Sequence, residues 1–201
     1  MRIPNHIGII PDGNRRWATD QGLTKEKGYD HGLDPGLELY KLCKEIGVKE
    51  VTYYGFTMDN TKRPSIQTKA FQKACVNAAE MLLKENANLL VLGNSKSPMF
   101  PKELLDYTTR RIINDDDMKV NLLVNYGWQW DLKDNNIKSN DISRIDLIIR
   151  WGGRRRLSGF LPIQSVYSDF YVVEEYWPDF KPQHFHDAIN WYDTQDVTLG
   201  G

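Results

Sequence analysis

Two short loops hold most of the residues able to handle a phosphate-bearing ligand. Pro11-Asp12-Gly13-Asn14-Arg15-Arg16-Trp17 follows the apolar run Ile7-Gly8-Ile9-Ile10. A glycine at a strand-to-helix turn lets backbone N–H groups face an anion, and the helix start beyond it favours negative charge, so a diphosphate fits. Arg15 and Arg16 add charge-assisted hydrogen bonds. Asp12 opposes an anion unless a hard cation sits between them, and a carboxylate with phosphate oxygens makes a Mg²⁺ shell. The same residues also read as a capped turn with exposed arginines. The second loop, Arg150-Trp151-Gly152-Gly153-Arg154-Arg155-Arg156-Leu157-Ser158, sets four arginines around a Gly-Gly turn, a compact cationic pocket for phosphate. Arginine runs also occur as solvated faces or RNA-binding patches. The apolar strand before this one and Phe160-Leu161 after it place it at a sheet edge and favour the anion pocket. Asp169 precedes a strand, and taken alone it reads as a cap or surface carboxylate. The polar segment Thr57 to Pro64 could close over a diphosphate, though by itself it reads as a plain loop.

The elements that must position these loops alternate. Ile7–Ile10, Val51–Phe56, Asn88–Leu92, Val120–Tyr126, Ile145–Arg150 and Phe170–Val173 are expected strands. A helix carries Leu37, Tyr40, Leu42, Cys43 and Ile46 and stops at Gly47; another runs from about Ser65 to Leu83, and a third is expected over Pro101 to Ile113. Continuously apolar strands separated by helices call for an α/β fold with a mainly parallel six-stranded sheet flanked by helices. Ligands in such sheets bind beyond the carboxyl ends of the strands, where the polar clusters Asp12 to Arg16, Thr57 to Arg63 and Arg150 to Ser158 fall. Asp131 to Asp141, rich in Asp, Asn and Lys, is expected to be a solvated loop.

The 201 residues fit one domain, 1–201. With 26 basic and 27 acidic residues the net charge is −1, so no global field draws in nucleic acid or an anionic membrane. No apolar run approaches the roughly 20 residues of a spanning helix. The N-terminus lacks a signal-peptide pattern, which sets a cytoplasmic expectation with no stable membrane anchor. Cys43 and Cys75 sit in helical apolar patterns and are expected to be buried free thiols.

His6 to Ala18 resembles the N-terminal signature of the cis-prenyltransferases, the undecaprenyl diphosphate synthase-like family. Gly28-Tyr29-Asp30-His31-Gly32, Tyr53 to Pro64, Asn125-Tyr126-Gly127, Ile149 to Phe160 and Tyr167 to Phe180 follow in the family's order. The resemblance implies a Mg²⁺-dependent transferase that condenses small isoprenoid diphosphates, an allylic donor plus isopentenyl diphosphate, into a short-chain prenyl diphosphate. It implies a homodimer, with Trp177 to Gly201 near the partner. By resemblance Asp12 holds Mg²⁺, with Asp169 completing the site where the family has Glu. Gly13, Asn14, Arg15, Arg16, Trp17 and Lys25 go with the allylic diphosphate, and Arg150, Arg156 and Ser158 with the second one. Asn60 and Arg63 match the loop reaching the reacting ends.

Departures from the pattern gather near the second site: Thr61 for Trp, Tyr29 for His, Trp151 for Thr, Arg154 for Glu, and Thr198-Leu199-Gly200 for Arg-x-Gly. Arg154 and Arg155 offer replacement diphosphate contacts, and Trp151 is expected to reshape the acceptor pocket. The Asp131 to Asp141 loop replaces a longer segment of chain-elongating members. Alternatives are an irregular head-to-middle coupling of two dimethylallyl diphosphates, of the lavandulyl type, and a non-catalytic partner subunit, against which Asp12 stands.

Overall fold

The computed structural model describes residues 1–197. Six strands, β1 (His6–Ile10), β2 (Glu50–Tyr54), β3 (Asn88–Leu92), β4 (Lys119–Leu123), β5 (Leu147–Arg150) and β6 (Asp169–Val172), form one sheet in the order β3-β4-β2-β1-β5-β6. Every neighbouring pair is parallel. The helices are α1 (Asn14–Asp20), α2 (Leu33–Glu45), α3 (Ser65–Lys84), α4 (Trp128–Asp131) and α5 (Pro182–Asp193).

Alternation along the strands divides the core. Ile7, Ile9, Val51, Tyr53, Val91, Leu122 and Ile149 join the face covered by α2, α3 and α5, with Leu39, Leu82, Phe185 and Ile189 packed on them. Ile10, Tyr54, Leu90, Leu123 and Ile148 meet Ile142, Ile145, Phe160 and Leu161 on the other face. Phe160 is fully buried, so its truncation to alanine should cost about 3–5 kcal/mol in lost transfer energy and cavity formation.

Two expectations are corrected. Only Lys102–Tyr107 of the third expected helix is helical, as 3₁₀ turns. The chain then leaves the helix because the Arg111 N–H donates to the Leu89 carbonyl at the sheet edge, and the Arg110 guanidinium, 7% exposed, donates to Asn121 Oδ1 at 2.7 Å. The Asp131 to Asp141 segment is not simply solvated. Asp131 is fully buried, and its carboxylate accepts the Tyr126 hydroxyl, the Ser139 hydroxyl and the Ser139 N–H at 2.7–2.8 Å. No helix among the described residues is long and apolar enough to cross a membrane.

The strand order reverses around β1: β2 lies on one side and β5 is added on the other after β4. Loops diverge there and leave a crevice at the carboxyl ends. Asp12–Gly13 after β1, Gly55–Thr57 after β2 and Gly152–Ser158 after β5 surround it.

Candidate active site

The crevice is an open cavity of about 690 Å³. Gly13 and Gly152 make its two turns, with φ of 102° and 82°. A side chain at Gly152 would lie 2.6 Å from Arg16 Nη2 and 3.1 Å from the Asp12 carbonyl, so the loops after β1 and β5 touch through glycine. The Trp177 N–H donates to the Asp12 carbonyl at 3.0 Å, which locks the first loop from above. Helix α1 has only seven residues, so the cavity's positive charge comes mainly from side chains.

Asp12 stands at the centre. Its Oδ1 accepts the Gly13 N–H at 2.7 Å, and its Oδ2 is 2.9 Å from Arg150 Nη2 and 3.4 Å from Arg16 Nη2. Burial acts to raise its pKa, but the Arg150 hydrogen bond and charge, Arg16 and the Gly13 N–H outweigh it and hold the carboxyl below its ordinary value. Arg150 is buried at the end of β5, where it also donates to Ser158 Oγ at 3.0 Å and to the Arg156 carbonyl. Its Nε has no partner among the described residues.

Arg15, Arg16, Lys25, Arg63, Arg150, Arg154 and Arg156 all line the cavity, against the carboxylates of Asp12, Asp20 and Asp59. Gly13, Asn14 and Ser158 line it too. Arg155, between two lining arginines, turns outward to Glu174. On the opposite wall Asn60 caps the 3₁₀ turn Met58–Lys62: its side-chain oxygen accepts the Thr57 N–H at 3.0 Å while the Thr57 hydroxyl accepts the Asn60 N–H at 3.2 Å. Arg63 donates to the Tyr29 hydroxyl at 2.9 Å, and burial lowers its pKa without discharging it.

Three of the expected residues are not brought to the cavity. Asp169 does not join Asp12. It pairs in register with Leu147 at the amino end of the sheet, three residues before the strand end where Arg150 meets Asp12, a rise of roughly 10 Å, and its charged neighbours are Arg2 and Asp146. Trp17 does not line the cavity: its indole N–H donates to Asp179 Oδ1 at 2.8 Å, and its ring lies 4.5 Å from His31. Trp151 cannot reshape an acceptor site, because strand alternation turns it away from Arg150 into the core, fully buried beside Trp177 and Phe180. Thr198-Leu199-Gly200 lies outside the described residues.

The aromatic walls were almost silent in the sequence. Tyr54, Phe71 and Tyr176 line the cavity; Tyr54 donates to the Ser158 carbonyl at 2.8 Å, and the Arg16 guanidinium lies 5.0 Å over Tyr176. Alternation along β2 was the one available clue, since it opposes Tyr54 to the core-facing Tyr53. Below the cavity, between α2, α3 and the sheet, is an apolar pocket of about 90 Å³ walled by Leu37, Tyr53, Ala74, Cys75, Met81, Leu82 and Leu122 among others. Burial pushes the Cys75 thiol up to about 12, so it acts there as a small apolar group.

A divalent cation fits this donor set. Mg²⁺ is held through one or two carboxylates together with substrate phosphates, and Asp12 supplies one ionised carboxylate beside cationic walls suited to phosphate. No group of three or more His, Cys, Asp or Glu able to hold a metal without substrate occurs among the described residues.

Comparison with known proteins agrees with this chemistry. The family model described as "Putative undecaprenyl diphosphate synthase" matches residues 10–141 and 133–200, two segments that meet at the compact loop after α4. An isoprenyl transferase of Clostridium tetani is 32% identical over 229 aligned positions, covering 99% of this chain and 90% of that protein. A ditrans,polycis-undecaprenyl-diphosphate synthase, (2E,6E)-farnesyl-diphosphate specific, of Aliivibrio fischeri is 28% identical over 98% of this chain and 89% of its own. In fold, the chain superposes on the crystal structure of lavandulyl diphosphate synthase from Lavandula x intermedia in complex with dimethylallyl diphosphate, with a TM-score of 0.79, 21% identity and 98% of each chain covered. The chain therefore belongs to the cis-prenyltransferase family of undecaprenyl diphosphate synthase-like proteins, and it is an isoprenyl transferase.

Proposed function

We propose that this enzyme adds isopentenyl diphosphate to a small allylic diphosphate and releases a short-chain prenyl diphosphate, with Mg²⁺ as its metal. The observation that carries the reading is the pairing of a wide cationic cavity, about 690 Å³, with an apolar pocket of only about 90 Å³. Pockets for drug-sized ligands run from about 300 to 1,000 Å³. The cavity therefore has room for two diphosphate heads and the pocket for little hydrocarbon. The alignment to the Clostridium tetani relative spans 229 positions while this chain has 201 residues, so the relative carries segments that are missing here.

Gly13, Asn14, Arg15, Arg16 and Lys25 hold the allylic diphosphate, and Arg150, Arg154, Arg156 and Ser158 the second. Asp12 would hold the cation, which when bound offsets charge on the departing diphosphate. In the reaction the allylic carbon–oxygen bond breaks, the terminal alkene carbon of the acceptor bonds to the allylic carbon, and the acceptor's proton passes to the released diphosphate. The arginines stabilise the released diphosphate, Asn60 keeps the loop beside the reacting ends, and the apolar pocket shelters the cationic carbon from water. Asp169 takes no part within one chain. We retain a homodimer, but favour the surface at Ile163, Val166 and Tyr167, which are 45%, 63% and 54% exposed in the segment that leads into edge strand β6.

A second reading is irregular coupling of two dimethylallyl diphosphates. Arg154 at the cavity wall, where the family has Glu, and the match in fold and length to the lavandulyl diphosphate synthase favour it. Product mass after incubation with dimethylallyl diphosphate alone, and with isopentenyl diphosphate added, separates the two readings. A decaprenyl or longer product would sink the short-chain reading.

A further inference from the structure

Leu157-Ser158-Gly159-Phe160 closes as a tight turn beside the cavity, with the Phe160 N–H donating to the Leu157 carbonyl at 3.1 Å. Both central residues have positive φ, 53° at Ser158 and 81° at Gly159. That is the pattern of a type I′ turn, which favours Asn, Asp or Gly at its first central position. Serine is held there against its own backbone preference, so the surroundings must impose the turn. Three contacts do so. Arg150 donates to Ser158 Oγ at 3.0 Å, and the Tyr54 hydroxyl donates to the Ser158 carbonyl at 2.8 Å. The third is the indole of Trp128, which lies against Gly159: a side chain built at that glycine would come within 2.8 Å of Trp128 Cδ1.

Trp128 is 45% exposed, so its ring is not core packing. It opens the single turn of α4, which is fixed on both sides. Before it, the Tyr126 carbonyl accepts the Met58 N–H at 2.7 Å and ties the segment to the loop after β2. At the other end, the buried Asp131 carboxylate is hydrogen-bonded to Tyr126 and Ser139, and the Asp131 N–H donates to the Gly127 carbonyl at 2.9 Å. We propose that Trp128 is a positioning residue for the second diphosphate, a reading that rests on the assignment of Arg150, Arg156 and Ser158 to that diphosphate above. Pressed on Gly159 from a rigid base, it keeps the turn left-handed and holds Ser158 Oγ at the cavity wall beside Arg156. Trp128 itself does not line the cavity, so its removal takes no contact from the substrate. The turn instead relaxes toward the backbone that serine prefers and carries Ser158 Oγ off Arg150. Gly13, Asn14, Arg15, Arg16 and Lys25 stand on other elements, so the allylic diphosphate keeps its contacts.

The test is steady-state kinetics of the full-length enzyme with Mg²⁺, varying isopentenyl diphosphate and dimethylallyl diphosphate in turn. Trp128→Ala is expected to raise KM for isopentenyl diphosphate about fivefold or more, and to leave KM for dimethylallyl diphosphate within about twofold of wild type. Trp128→Phe, which keeps an aromatic cover on Gly159, is expected to return both values close to wild type. An unchanged KM for isopentenyl diphosphate in Trp128→Ala overturns the proposal, as does an equal rise in both KM values or a Trp128→Phe enzyme as impaired as Trp128→Ala. If Trp128→Ala loses its folded circular-dichroism signal, Trp128→Gln is judged by the same criteria. Ser158→Ala serves as the control for the underlying assignment. If it leaves KM for isopentenyl diphosphate unchanged, the second-diphosphate assignment fails and this proposal with it; if it raises that KM while Trp128→Ala does not, this proposal alone is overturned.

Discussion

Replacing Asp12 separates two things that its carboxylate does. One is structural: Oδ2 lies 2.9 Å from the Arg150 guanidinium, whose side chain is 5% exposed. A charge-assisted hydrogen bond of this kind contributes about 1.5–3 kcal/mol. Asp12 is one-third exposed, which weakens the pair by solvent screening, and Arg150 keeps Ser158 and the Arg156 carbonyl. Asp12→Ala should therefore cost about 1–2 kcal/mol, a fall of about 2–8 °C in Tm for a chain of this size. The other role is catalytic, and losing charge stabilisation at the leaving group should lower turnover by about 10³-fold or more. Asp12→Asn keeps an acceptor for Arg150 and should recover most of the stability with little of the rate. Thermal melts by circular dichroism and diphosphate release under saturating substrates and Mg²⁺ read the two effects independently. A well-folded Asp12→Ala enzyme within about tenfold of wild type, or full rescue of turnover by Asp12→Asn, would refute the reasoning.

Gly152→Ala should destabilise the protein by about 1–2 kcal/mol, because its left-handed backbone disfavours a side chain, and should raise KM for the allylic substrate by crowding Arg16; an unchanged melt and KM would contradict this. The Arg150 and Arg16 guanidinium groups and the Gly13 N–H hold the Asp12 carboxyl below its ordinary pKa, so its pairing stabilises the fold above its unfolded pKa and the contribution is lost as pH falls through the folded value. Acid titration of stability below about pH 4 should accordingly be shallower in Asp12→Asn than in wild type, and superimposable curves would contradict the assignment. Sedimentation should give a dimer for the wild-type chain and a smaller species for Val166→Glu, while a monomeric wild-type chain at working concentration would remove the homodimer.

The strands were legible because several are continuously apolar, as a parallel sheet covered on both faces favours. The first and second loops were legible for a related reason: glycine, arginine and aspartate at strand ends have few purely structural uses. Asp169 lies far from Asp12 within one chain, since a residue just before a parallel strand sits at the amino end of the sheet. Trp151 was misplaced because neighbouring strand residues face opposite ways, and Arg150 had already taken the cavity side. Composition made Asp131 look solvated, but its partners Tyr126 and Ser139 become neighbours only when the chain folds. The cavity residues Tyr29 and Phe71 are 42 positions apart, and their stack arises from α3 packing over the loop after α1.

The most direct test is the product made by purified enzyme with Mg²⁺, dimethylallyl diphosphate and labelled isopentenyl diphosphate. Prenyl diphosphates of about two to four isoprene units, the length that a pocket this small accommodates, are the predicted result. Long polyprenyl products, or no incorporation of isopentenyl label, would contradict it.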